Sequence, residues 1–127
     1  MFIPAQVEEA IHVHADNCLP NECCGLLAMD DENRIRMAYA LTNIEGSPAR
    51  FTIAPEEQFG AFTHAERLGW RIGGVFHSHP IGEATLSPRD IFQPHDPDWI
   101  HVVVGMRPER HLRVWRIEND EPREITL

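Results

Sequence analysis

Apolar positions fall into blocks whose spacing switches between helical and extended. From Pro4 to Cys18 they recur at Val7, Ala10, Ile11 and His14 or Ala15, one face of a helix. Pro4 suits its first turn and Pro20-Asn21 stops it. Cys24 to Met29 is an unbroken apolar run and reads as a buried strand. Asp30-Asp31-Glu32-Asn33 turns the chain, and Arg34 to Leu41 returns as a second strand, which makes a hairpin. Thr42 to Ala49, with Gly46, Ser47 and Pro48, is a loop, and Arg50 to Ile53 is a candidate short strand. Ala54-Pro55-Glu56-Glu57 opens a second helix with acids in its first turn. Phe59, Phe62, Ala65 and Leu68 form its expected apolar stripe, His64 is expected on its solvent side, and Gly69 ends it.

The second half is richer in strands. Trp70 to Ser78 is one, and Pro80 ends it by removing a ladder donor. Ser87-Pro88-Arg89-Asp90 is a helix start: serine as cap, proline first, an acid three residues after the cap. Pro94 to Asp98 is a turn. Trp99 to Met106 is an apolar strand expected to be covered on both faces. Leu112 to Ile117 and Arg123 to Leu127 are two last strands, separated by Glu118 to Pro122. The order predicts an α+β fold, a mixed sheet packed with helices, in one domain over residues 1–127.

One stretch in this pattern carries chemistry. On a strand, residues two apart share a face, so His77 and His79 aim at one point from one side. The helix start at Ser87 places Asp90 in a first turn. A strand end meeting a helix start brings together two imidazoles and a carboxylate, the ligand types that Zn²⁺ takes in catalytic sites, with one tetrahedral position left open. The other histidines are weaker candidates. His12 and His14 diverge on a helix and are expected on a solvated face, and His95 with Asp96 and Asp98 lies in a two-proline turn.

Composition narrows the partners. The net charge of −9 argues against nucleic acid, which needs basic surface. No apolar run approaches the length of a membrane span, and the N-terminal residues lack a signal-peptide pattern, so the cytoplasm is the expected location. Cys18, Cys23 and Cys24 form no C-x-x-C and are expected to be reduced, with Cys24 a small buried hydrophobe.

The stretch His77-Ser78-His79-Pro80, followed by Ser87 and Asp90, resembles the metal motif of the JAMM (MPN+) metalloprotease family. Pro20-Asn21-Glu22-Cys23-Cys24-Gly25-Leu26-Leu27 resembles the segment where that family carries an upstream glutamate. Leu86 departs from the pattern, since many members have proline before the serine. The resemblance is closest to small bacterial members, some of which release cysteine from the C-terminus of a ubiquitin-like sulfur-carrier protein. It implies a curved sheet flanked by helices, similar to the cytidine-deaminase fold. It also implies Zn²⁺ on His77, His79 and Asp90, Glu22 as proton carrier, and Ser87 as a donor to the oxyanion or as the group that orients the water or Asp90. The implied partner is a carrier whose glycine-rich tail adds beside a sheet edge. A zinc deaminase needs His-x-Glu and Pro-Cys-x-x-Cys, and neither is present. A non-catalytic scaffold of the same family, or a DNA-repair-associated relative, is the alternative. A lost ligand would favour the scaffold and a basic face the DNA role.

Overall fold

The computed structural model describes all 127 residues. In chain order the elements are α1 (Ala5–Cys18), β1 (Cys24–Met29), β2 (Ile35–Leu41), α2 (Pro55–Arg67), β3 (Arg71–His79), α3 (Pro88–Phe92), β4 (Ile100–Gly105), β5 (His111–Glu118) and β6 (Glu121–Ile125). The strands form one six-stranded mixed sheet in the order β2-β1-β3-β4-β5-β6. β3 and β4 pair in parallel, and every other neighbouring pair is antiparallel.

Strand alternation sends side chains to two faces, and a helix packs on each. On one face Val7, Ile11 and Ala15 of α1 meet Leu27, Phe76, Val102 and Val104. On the other, Ala61 and Ala65 of α2 meet Leu26, Ala28, Ile72 and Val75. β1 and β4, buried at every position, are therefore unbroken apolar runs rather than alternating ones. A satellite cluster of Ala84, Leu86, Val103 and Ile117 lies under the loop after β3. Leu86, in place of the family's proline, fills that cluster.

Three expectations need correction. The buried stripe of α2 is Ala61 and Ala65, while Phe59 is 75% exposed and Leu68 48%. Both alanine and phenylalanine spacings fit a helix, but only the small pair lets α2 approach the side chains of β1 and β3. Phe62 flanks the stripe, tilted against Trp99 with ring centroids 6.2 Å apart. His14 does not face solvent: its Nε2 lies 3.1 Å from the Cys24 carbonyl and 2.9 Å from that of Leu41. Carbonyls only accept, so the ring N–H donates to both and ties α1 to the hairpin. The last strand begins at Glu121, not Arg123, because Asn119 and Asp120 at φ 52° and 63° form a two-residue hairpin turn. Pro122 is tolerated because β6 is an edge.

The β1–β2 turn is fastened by Asp30, which accepts the backbone N–H groups of Glu32 and Arg34 and pairs with the Arg34 and Arg36 guanidiniums. The Arg34 N–H bond leads the causes that hold this carboxyl down to about 2, against burial. Elsewhere too the cation of each ion pair, histidine aside, is an arginine, as in Arg110–Asp16 and Arg50–Glu45. No helix is long and apolar enough to cross a membrane.

Candidate metal centre

β3 runs into the site from the middle of the sheet. His77 is buried on the α2 face, where Phe51 stacks on its ring at 4.8 Å. His79 follows at the strand end. Its Nδ1 sits 2.9 Å from the Glu83 carbonyl, so Nδ1 carries the hydrogen and Nε2 presents its lone pair. Asp90 comes from α3, where Ser87 and Asp90 form the expected capping box. The Ser87 N–H donates to Asp90 Oδ2 at 2.9 Å, and the Asp90 N–H donates to Ser87 Oγ at 3.1 Å.

These elements bring three ligand atoms together. His77 Nε2 and His79 Nε2 lie 3.2 Å apart, and Asp90 Oδ2 lies 3.1 Å and 3.2 Å from them. Zinc bonds of about 2.0–2.1 Å at tetrahedral angles separate ligands by about 3.3 Å. The three-atom group matches that spacing. It also faces the lone pair of His79 Nε2 with a carboxylate oxygen, two acceptors that need a cation between them. The donor set therefore fits Zn²⁺. Burial works to raise the Asp90 pKa, but the neighbouring His77 and His79 rings and the bond from the Ser87 N–H outweigh it and hold the carboxyl well below the usual range.

Glu22 stands on the connection between α1 and β1. It is only 4% exposed, and its Oε1 has no hydrogen-bond partner. Burial pushes its pKa up to about 8, with His79 pulling it down and Asp90 pushing it up. Cys24 pairs with His77 across the sheet, which sets the Glu22 segment alongside the histidine strand.

Residues that sequence reasoning passed over hold this arrangement. Ser78 is fully buried, and its Oγ accepts the Cys23 N–H at 2.8 Å, which fastens the Glu22 segment to the histidine strand. Asn43 donates to the carbonyls of Glu22 and Arg50 and accepts from Glu45 and Thr52. A polar residue between two histidines on a strand points to the opposite, buried face, and that was the available signal for Ser78. The 50–53 segment makes only an isolated bridge, Asn43 with Ile53. Cys23 and Cys24 are buried thiols, each pushed up to about 12 chiefly by burial. His95 donates to the Gln93 carbonyl and is not one of the converging ligands. Neither sheet edge, the expected place for the tail to add, runs beside the ligand group, since β3 is flanked by β1 and β4 and the edges are β2 and β6.

A mixed sheet with one parallel pair, a helix on each face and this ligand group at the strand end define a domain of the JAB1/MPN class. The family model for prokaryotic homologs of the JAB domain matches residues 4–118, and the chain belongs to that family. The CysO-cysteine peptidase of Mycobacterium tuberculosis is 32% identical over 120 residues, covering 92% of this chain and 82% of that protein. A probable TtuB-protein conjugate cleaving protease of Thermus thermophilus is 32% identical over 92 residues, covering 72% of this chain and 61% of its own. Among solved structures, a Desulfitobacterium hafniense protein superposes with a TM-score of 0.84 at 30% identity, covering 95% of this chain and 86% of that one. A JAB1/MPN domain protein from Archaeoglobus fulgidus gives 0.61 at 19% identity, covering 95% and 91%, a likeness of fold alone.

Proposed function

We propose that this chain is a cytoplasmic zinc-dependent peptidase. It hydrolyses the peptide or isopeptide bond after the C-terminal Gly-Gly tail of a ubiquitin-like sulfur-carrier protein and releases cysteine. The observation that carries the reading is the convergence of His77, His79 and Asp90 at 3.1–3.2 Å with the buried carboxyl of Glu22 beside them. The mycobacterial and Thermus relatives support the substrate class, and the match to the former over 92% of the chain favours cysteine as leaving group.

When bound, zinc supplies a Lewis acid for the scissile carbonyl and an acidified water. The Glu83 carbonyl fixes the ring of His79, and the capping box fixes Asp90. Glu22 takes the water proton and returns it to the leaving amine. Burial raises its pKa to about 8 in the metal-free protein, and a cation at the ligand group would favour the ionised form that accepts the proton. Ser87 Oγ already accepts from the Asp90 N–H, so its own hydroxyl proton is free to donate to the developing oxyanion. Capping and catalysis are compatible at this serine.

The test is incubation with a sulfur carrier extended beyond Gly-Gly by cysteine, or joined to a lysine side chain, followed by intact-mass measurement. Loss of the mass of one cysteine residue is the expected result. If both conjugates stay intact, or if unrelated peptides with bulky residues before the bond are cleaved equally well, the reading fails.

A further inference from the structure

We propose that Arg107 binds the free α-carboxylate of the leaving amino acid, which makes the site selective for a single C-terminal residue over a lysine side chain of a folded acceptor. The inference rests on the hydrolytic reading above and assigns a subsite to its leaving group.

Two hollows lie near the ligand group. One, of about 440 Å³, includes His77 and Asp90 in its lining and extends between α2 and the sheet past Trp99. The other, of about 340 Å³, is lined by Leu19, Pro20, Pro48, Pro80, Ile81 and Arg107. The second lies along the segments that hold Glu22 and His79. Pro20 is two residues before Glu22, and Pro48 follows Ser47, whose carbonyl accepts the Glu22 N–H at 2.9 Å. Pro80 follows His79, whose carbonyl accepts the Met106 N–H at 3.1 Å, and the next carbonyl, that of Arg107, accepts from Gly82 at 2.8 Å. Arg107 is thus fastened to the metal-binding motif through backbone bonds on both sides.

Glu22 must reach the leaving nitrogen to protonate it, so the leaving residue lies on the Glu22 side of the scissile carbonyl. Pro20, on the same connection as Glu22, is one wall of the proline-lined hollow. Five of its six lining side chains offer no hydrogen bond, so Arg107 is its sole polar recognition group. Its guanidinium is also uncommitted. Arg107 and Arg67 are the two arginines whose side chains make neither an ion pair nor a hydrogen bond, whereas Arg89, whose charge acts on Glu22, pairs with Glu45 at 3.8 Å. In a chain of net charge −9, a free guanidinium facing an apolar hollow complements a carboxylate, which it can grip through two parallel N–H donors. The volume is sufficient for one amino acid.

The experiment uses the carrier ending in Gly-Gly-cysteine as the free acid and as the C-terminal amide. Binding is measured to zinc-loaded protein carrying Glu22→Gln, with and without Arg107→Ala, and turnover is measured in the wild type. The free acid is expected to bind about tenfold more tightly than the amide, as for a charge-assisted contact. Arg107→Ala should abolish the difference by weakening the acid alone, and Arg107→Lys should keep part of it. Equal affinities for acid and amide, or a preference that survives Arg107→Ala, would overturn the assignment. Arg107 is exposed, so its replacement leaves the core intact. Acid-selective binding without turnover in the wild type would support the subsite and overturn the hydrolytic reading instead.

Discussion

Glu22 keeps its proton at a pH where a solvated glutamate has lost it. Burial is the leading cause of the rise to about 8, and the partnerless Oε1 shows that little compensates the charge when no cation is near. An acid whose pKa is higher folded than unfolded binds more protons in the folded state between about 4.5 and about 8. Stability of the metal-free protein therefore falls as pH rises through that window. Glu22→Gln cannot ionise. In chelator-treated protein it should unfold several degrees higher than wild type at pH 8 and at nearly the same temperature below pH 4.5. A parallel pH dependence of the two melting curves would refute the buried-acid account. The grouping of His77, His79 and Asp90 was legible from strand and helix-cap spacing alone. Glu22 was reached only through the resemblance of its segment. Ser78, Asn43 and Phe51 were not singled out, because their roles come from pairings between distant stretches that no local period encodes.

At the level of elements, the site depends on pieces too short to stand alone. α3 has five residues, well below the length at which an isolated helix is stable, and its capping box gives it a defined start. The loop before it must hold the Glu83 carbonyl on His79, and Gly105 of β4 makes room for that loop. A Cβ at Gly105 would fall 2.7 Å from Ala84 N and 2.8 Å from the Glu83 carbonyl carbon, backbone atoms that can only move together. Gly105→Ala should therefore loosen zinc by roughly tenfold, as losing a ligand's outer support does, while circular dichroism stays close to wild type. Unchanged zinc affinity in a chelator competition would show that the loop is not held by this contact. α3 and its cap were readable because cap chemistry is local. The face of α2 was not, since the expected set of Phe59, Phe62, Ala65 and Leu68 satisfies the helical period as well as Ala61 with Ala65 does. Which face is buried depends on how closely the sheet can be approached.

For the whole molecule, strand positions were largely visible along the chain and their order in the sheet was not. The parallel pairing of β3 with β4 sends both strands out on one side. The ligands thus gather at their C-terminal ends, where such a pair leaves a crevice. Only tertiary pairing reveals that this crevice lies away from both sheet edges, so under the proposed function the carrier tail reaches it over the α2 face. The arginine ion pairs of this fold have one more consequence. All 11 Lys+Arg positions are arginine, so these residues present no side-chain amine. Ubiquitin-like tails become attached to proteins by condensing with amines, and a guanidinium at neutral pH is no nucleophile. Under the proposed function, the domain offers such tails no lysine on which to become stranded. Exposed to a carrier activated as a thioester, it should acquire no side-chain attachment that survives hydroxylamine. Peptide mapping that found one would show an acceptor other than an amine at work.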